Sequence, residues 1–479
     1  MLPQRTYLLL VLLAATITAP AQTFTTLLSF DGSDGAGPVF GSLIQGPGGN
    51  LYGTTEYGGD LSCNAPSGCG TVFRMTPRGR LTTLHRFDVA DGTDPEGGVI
   101  LATDKNFYGT TGAGGDLSCD PPYGCGTVFR MTPDGTFTTL HIFESTDGLR
   151  PLGGVIQAAD GSLYGTTFGS DPYSLGTIFK ISLEGTFTTI YRFCASPPDC
   201  PDGRSPLGAL VQAVDGNFYG TASAGGRFVP RCPIGCGTIF KLTPAGKFTT
   251  LYRFHYFEGE SPSGTLVQGT DGSLYGTAMV GGAYGVGTVF KIDPTGVFNT
   301  LHTFSWTDGV SPVAPLVQAT DGNLYGTTKE GGGGTYDGTI FQITPGGSFT
   351  TLHHFCHGLC LDGGFVWTGL LQDTNGVFYG TTAAGGTSSD GTIYSLDAGL
   401  GPFISMVRNA GKVGTAQAIL GQGFTGAIDV SFNGTPATFA IKLDTLLIAT
   451  VPPGATPGYV TVTTPNGTLT SNKPFMVLP

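Results

Sequence analysis

The sequence predicts an all-β fold: a seven-bladed β-propeller closed by its own N-terminal strand, followed by a C-terminal immunoglobulin-like β-sandwich. Three observations carry that prediction. A Tyr-Gly pair recurs at Tyr52, Tyr108, Tyr164, Tyr219, Tyr275, Tyr325 and Tyr379, 50 to 56 residues apart, a period that belongs to propellers and solenoids. Each unit holds four strand-like runs joined by turn residues. The runs are also out of phase with the chain: a fourth-strand motif, FTTLLSF at 24–30, precedes any first strand, and the last unit stops after GTIYSLD at 391–397. The N-terminal strand therefore completes the last blade, a permutation that a solenoid has no reason to adopt.

The opening MLPQRTYLLLVLLAATITAPAQ has one basic residue, Arg5, an apolar run from Leu8 to Ile17, and the small-residue triplet Ala19-Pro20-Ala21. The run is short for a bilayer span, so residues 1–21 read as a secretory signal peptide cut after Ala21. No later segment is apolar enough for a membrane helix, and SNKPFMVLP at the end is no sorting tail. The mature protein is expected to be exported: secreted, periplasmic or associated with the cell surface.

Residues 24–397 form the repeats. In each, an apolar first strand such as Val155-Ile156 leads through an Asp-Gly turn to LYGTT, then through a Gly-rich loop to GTIFKI, and through a second tight turn to FTTL. Asp-Gly pairs suit two-residue hairpins because both central residues take positive φ. Asp160, Asp215, Asp271 and Asp321 read as turn formers, since a catalytic site breaks the symmetry of a repeat. The glycine after each tyrosine is expected to let neighbouring sheets pack closely.

Tight turns all leave on one face; the long, variable loops leave on the other, where function on a scaffold usually sits. The ten cysteines fall in those loops as close pairs: Cys63 with Cys69, Cys119 with Cys125, Cys194 with Cys200, Cys232 with Cys236, and Cys356 with Cys360. In an exported chain they read as small disulfide-closed loops. Metal binding is the weaker reading: His357 lies between Cys356 and Cys360, but no pair has a second pair at zinc-finger spacing.

After a linker at 398–401 the pattern changes. Residues 402–479 are short strands with Gly, Pro and Asn turns, and carry Arg408, Lys412, Lys442 and Lys473 against only Asp429 and Asp444. The whole chain is acidic, net charge −12, which argues against a nucleic-acid partner.

Two series on the long-loop face are candidate binding residues. Aromatics occupy the loops between second and third strands at Tyr57, Tyr123, Tyr173, Phe228, Tyr284 and Tyr336. Exposed rings beside carboxylates suit a saccharide; packing of each ring on the next loop is the bland alternative. Acids occupy the crossings between units, among them Asp91, Asp147 and Asp308. A ring of them at a channel mouth could hold calcium through oxygen ligands, whereas a turn at each crossing needs no ion. His85, His141, His302 and His353 share one place in the fourth strand and read as solvent-edge residues. No nucleophile–base set and no resident metal or other cofactor is discernible. GGGGT at 331–335 lacks the lysine and context of a phosphate loop.

Two resemblances follow from the motifs. The repeats, with DGxLYGTT, then GT(I/V)FK(I/L)TP, then FTTL, resemble the GloVer (Gloeobacter–Verrucomicrobia) tandem repeats of exported bacterial proteins over about residues 24–397. That resemblance implies no established activity and no catalytic residues. Many such proteins end in a surface-sorting anchor; here GQGF at 421–424, VSFNGTPATF at 430–439 and VPPGATPGYVTVTTPNG at 451–467 resemble an IPT/TIG immunoglobulin-like domain instead. Such domains act as spacers or binding modules on secreted proteins.

The favoured reading is a non-catalytic exported protein that binds an extracellular glycan or an envelope protein through its long-loop face. The rival is an extracellular carbohydrate-active enzyme, a polysaccharide lyase or hydrolase. It would need an asymmetric cluster at the channel mouth, and the non-repeated candidates are Asp94, Glu96, Glu260, Arg227, Arg231 and Trp306.

Overall fold

The computed structural model describes residues 22–169, 175–195, 197, 199–333, 337–356 and 358–478. The expected leader over 1–21, and Tyr173, Tyr336 and His357, lie outside the described residues. Among those described there is no α-helix and only one short 3-10 turn, Pro47–Gly49.

Seven antiparallel sheets correspond to the seven Tyr-Gly units and are numbered here by them. The third shows the plan: Val155–Gln157, Leu163–Thr167, Thr177–Ile181 and Phe187–Arg192 pair in sequence order. In the seventh, Leu371–Gln372, Phe378–Thr382 and Thr392–Asp397 are completed by Thr23–Ser29 from the N-terminus, antiparallel to Thr392–Asp397. The fifth carries one extra strand, Glu260–Pro262.

The Tyr-Gly pair has a local cause. All seven tyrosine rings are buried, at most 4% exposed. In five sheets the hydroxyl, unable to go unpaired in an apolar layer, donates to the turn aspartate of its own hairpin, as Tyr164 does to Asp160 at 2.9 Å and Tyr219 to Asp215 at 2.7 Å. The aspartates are therefore turn residues and caps at once. Each following glycine makes room for a ring inside its own sheet: a Cβ on Gly165 would stand 2.4 Å from Phe179, its cross-strand partner. The expected role of that glycine between sheets falls instead to other glycines, such as Gly41 against Gly98 and Gly97 against Gly154.

The seams between sheets also repeat. Gln157 accepts from the Thr103 backbone N–H of the preceding sheet, and Gln212, Gln268, Gln318 and Gln372 do likewise to Ala159, Val214, Thr270 and Thr320. Gln45 of the first sheet accepts from Thr374 of the seventh, so the last sheet meets the first in a propeller-like ring. The four fourth-strand histidines, expected at a solvent edge, are ring partners across seams. His141 stacks on Phe187 of the next sheet at 3.9 Å, and His353 on Phe24 at 3.8 Å. Tyr191 and Tyr252 do the same in their sheets.

Residues 405–478 form a second unit. Two four-stranded sheets enclose one core that includes Ile419, Val430, Phe432, Leu447, Val462 and Phe475. This unit sits against the tight-turn face. Gln422 donates to the Thr374 hydroxyl at 3.0 Å, the Phe403 N–H donates to the Thr374 carbonyl, and the Arg408 guanidinium donates to the Ala159 carbonyl. The long-loop face remains uncovered by it.

Candidate functional site

Each crossing from a fourth strand to the next first strand has a residue in the left-handed region at one equivalent position. These are Gly37, Asp94, Arg150, Ser205, Ser261, Ser311 and Phe365, with φ between 54° and 58°. All but Phe365 precede a proline, which ordinarily pushes its neighbour to extended backbone, so the conformation needs outside support. Backbone hydrogen bonds supply it. The Asp94 carbonyl accepts from Gly112 N–H at 2.7 Å, and the Arg150 N–H donates to the Cys125 carbonyl at 3.0 Å. The Ser261 N–H donates to the Cys236 carbonyl at 3.1 Å, so two disulfide loops brace the crossing of the following sheet.

The backbone of this series repeats while its side chains do not: an acid, a base, three serines, a glycine and a phenylalanine. The residues two further on, which include Glu96 and Trp367, differ as well. Where the seventh, first and second sheets meet, these positions border a cavity of about 500 Å³ lined by Phe40, Glu56, Tyr57, Glu96, Trp367 and Asp390, among others. Phe40 and Trp367 meet edge to face at 5.2 Å, and the Lys329 ammonium lies 4.4 Å from the Trp367 ring centre. A second, much smaller cavity of about 30 Å³ shares Phe40 with it and is lined by Gly97, Gly153, Gly208 and Gly264 among others.

Three carboxyls belong to this corner. Glu96 is only 9% exposed, and its Oε2, like Asp94 Oδ1, has no hydrogen-bond partner. Burial, followed by repulsion from Glu56 and Asp94, raises the Glu96 carboxyl to about 8, with Arg150 opposing. Burial raises Glu56 to about 7; the Tyr57 hydroxyl and Arg150 pull against the shift, while Asp94 adds to it. Asp94 is raised to about 6, again by burial against Arg150. Burial, helped by repulsion at Glu56 and Glu96, thus holds all three carboxyls above the usual carboxylate range, with Arg150 opposing the rise.

The profile of the Gloeobacter/Verrucomicrobia repeat matches residues 14–120, 117–335 and 231–435. The chain belongs to this repeat family. No curated protein matches it. Solved structures similar to this Gloeobacter/Verrucomicrobia repeat protein include a fungal alcohol oxidase in complex with copper, 13% identical, covering 95% of this chain and 99% of that one with a TM-score of 0.49. A gluconolactonase from Xanthomonas campestris is 15% identical, covering 62% and 84%, with a TM-score of 0.38. Likeness at these values carries no argument about activity.

The residues expected from the sequence divide sharply. Of the aromatic series, Tyr57 lines the cavity; Tyr123, Phe228 and Tyr284 are 69%, 42% and 67% exposed but do not line it. Asp91, Asp147 and Asp308 are each held by the histidine of their own fourth strand, at 2.8, 2.8 and 3.0 Å, and each accepts a backbone N–H from its own loop. Tyr191 with Asp202 and Tyr252 with Glu258 repeat the clamp. All five cysteine pairs are disulfide-bonded as expected, with no free cysteine among the described residues. Among those residues the one close trio of metal-capable side chains is Asp337, Cys356 and Cys360, whose two sulfurs are already joined. No helix among them is long and apolar enough to cross a membrane. Of the non-repeated candidates, Asp94 and Glu96 belong to the cavity corner. Arg227 contacts His255, and Arg231 lies over Tyr256, away from it. Glu56, Arg150 and Trp367 were missed. For Arg150 the visible clue is that the residue before each crossing proline is variable inside an otherwise repeated segment.

Proposed function

We propose that this is an exported glycan-binding protein: a seven-bladed propeller over 24–397, joined through 398–401 to an IPT/TIG-like immunoglobulin-fold domain over 402–479. The observation that carries the reading is the pocket of about 500 Å³ in which Tyr57, Phe40 and Trp367 offer apolar ring surface beside the Glu56 and Glu96 carboxyls. A sugar ring presents an apolar face and a polar edge, and this lining matches both. The net charge of −12 and the acidic corner favour neutral or N-acetylated chains over polyanions. The disulfides fit an oxidising compartment outside the cytoplasm.

The test is binding of the full chain to laminarin, xyloglucan, glucomannan and chito-oligosaccharides by affinity electrophoresis and calorimetry, with calcium and with chelator. Saturable binding is expected, weakened about 10-fold or more by Tyr57→Ala or Trp367→Ala, the scale of one aromatic anchor. Binding that neither substitution changes would move the site elsewhere. No binding to any of these chains would turn the search to an envelope protein. A carbohydrate-active enzyme is the second reading, favoured by the raised Glu56 and Glu96 carboxyls.

A further inference from the structure

We propose that the long-loop rim of the fourth and fifth sheets docks the protein on an anionic phospholipid bilayer, with its arginines on the headgroups and its exposed apolar side chains among them. The inference goes beyond the glycan-binding reading and does not depend on it. The pocket lies where the seventh, first and second sheets meet, and this rim is on the other side of the ring.

The first support is a reversal of charge within copied loops. The loops between second and third strands are closed by a disulfide in the first, second and fourth sheets, by Cys63–Cys69, Cys119–Cys125 and Cys232–Cys236. Their backbones agree: the Gly58, Gly114 and Gly225 N–H groups donate to the Ser67, Tyr123 and Ile234 carbonyls at 2.8, 2.8 and 2.9 Å. Their side chains do not. The first two loops read DLSCNAPSGC and DLSCDPPYGC, charged only by Asp60, Asp116 and Asp120; the third reads RFVPRCPIGC, with Arg227, Arg231 and no acid. The second support is apolar. Phe228, Ile234, Phe257, Tyr284 and Trp306 stand 42 to 68% exposed on four consecutive loops. Those loops are knitted together, since the Arg231 guanidinium lies 4.9 Å from the Tyr256 ring centre and 5.6 Å from that of Phe257, and the Tyr256 carbonyl accepts from Gly282 N–H. Trp306 takes the place of Tyr256 in the next crossing, where the crossings after the first and second sheets carry Val89 and Ser145.

A bilayer surface asks for this combination. Aromatic side chains settle at the boundary between headgroups and acyl chains, and each arginine near an anionic leaflet adds attraction. The neighbouring acids Asp202 and Glu258 are taken up by their own sheets, through the Tyr191 hydroxyl at 2.7 Å and the Tyr252 hydroxyl at 2.6 Å. The loops of the first and second sheets also expose Leu61, Leu117 and Tyr123, but beside Asp60, Asp116 and Asp120, which an anionic surface repels. On a chain of net charge −12 the basic sector therefore sets the orientation of approach. A polyuronate would meet the same arginines. Ile234, however, offers no flat face to a sugar ring and no polar group to its hydroxyls, whereas lipid accepts it.

The experiment sediments the chain with vesicles of phosphatidylcholine alone and of phosphatidylcholine with about one-third phosphatidylglycerol, at low salt. The expected leader, residues 1–21, is removed so that its apolar run does not itself bind lipid. Soluble polygalacturonate is tested alongside. Binding to the anionic vesicles is expected, weakened about 10-fold or more when Arg227→Gln and Arg231→Gln are combined and about 5-fold by Phe257→Ser. Tryptophan emission should shift to the blue on binding, and Trp306→Phe should abolish the shift, since the only other tryptophan is Trp367 in the pocket. All four side chains are exposed, so an unchanged thermal midpoint is expected and separates lost docking from lost folding. Equal binding to both kinds of vesicle, or binding that no variant weakens, overturns the assignment to this rim. Arginine-dependent binding to polygalacturonate without binding to vesicles overturns the bilayer in favour of an anionic glycan. Failure to bind the anionic vesicles overturns the proposal and leaves glycan binding in the pocket untouched.

Discussion

The two faces of the ring hold their repeated carboxylates alike and differ in which carboxyls depart from the copy. On the tight-turn face, Asp160 accepts from Tyr164, from the Ser162 backbone and from Lys180, and its counterparts in four other sheets are capped by a tyrosine in the same manner. On the long-loop face the repeated acids of six crossings are equally well held, by histidine or tyrosine, while the non-repeated Asp94 and Glu96 each keep an oxygen unpartnered. A repeat solves its polar problems once and copies the solution. Departures from the copy are therefore where a specific role can be read.

The largest expected effect comes from breaking the copied part. Tyr219→Ala removes a fully buried ring from the layer between sheets and strips Asp215 of its hydroxyl partner. A loss of about 3–5 kcal/mol is expected, seen as an earlier transition in urea unfolding. A loss under about 1 kcal/mol would mean that the sheets do not depend on this layer.

The tight-turn face has its own departure, and it sharpens the comparison. Asp373 is fully buried where the second unit meets Thr374, its Oδ2 is unpartnered, and burial raises it to about 6. A carboxyl raised from 3.8 to about 6 on folding gives stability that is complete below pH 3.8 and is lost as pH rises through 6. The penalty above pH 6 is at most about 3 kcal/mol. Asp373→Asn should therefore raise the thermal midpoint at pH 8 and leave it nearly unchanged at pH 4. Equal effects at both pH values would show that Asp373 is not held protonated by its burial.

A smaller effect is expected at the seams. His141 stacks on Phe187 and binds Asp147, whereas at the seam between the seventh and first sheets Leu28 and Leu81 fill the same two places. His141→Leu keeps apolar contact but leaves Asp147 without its side-chain donor, so a cost of about 1–2 kcal/mol is expected, read from thermal unfolding. A neutral result would show that the aliphatic seam is as good as the aromatic one.

These cases also show what the sequence can and cannot disclose. The sheets were legible because three motifs repeat in one order, and strand exchange at the ends was legible because the motifs are out of phase. Cysteine pairing followed from spacing. The histidines were misread as edge residues because stacking on Phe137 or Phe187 joins different sheets, and nothing within one repeat reveals it. The pocket was only half legible for the same reason. Asp94 and Glu96 stand out as non-repeated, but Glu56, Arg150 and Trp367 come to them from the first, third and seventh sheets, and the last of these is near only because the ring closes between Gln45 and Thr374.

The smallest expected effect tests the claim that copied solutions are interchangeable in detail. Lys180 reaches Asp160 at 2.8 Å, but both side chains are about two-fifths exposed, so solvent screens the pair. The sixth sheet already carries the replacement: Gln342 stands where Lys180 does, donates to the Tyr325 hydroxyl at 2.7 Å and lies 3.3 Å from Asp321. Lys180→Gln should recreate that arrangement around Tyr164 and Asp160 and change stability by no more than about 0.5 kcal/mol. A loss well beyond that would mean the lysine charge itself is needed, and that the third and sixth sheets hold their turn aspartates by different physics.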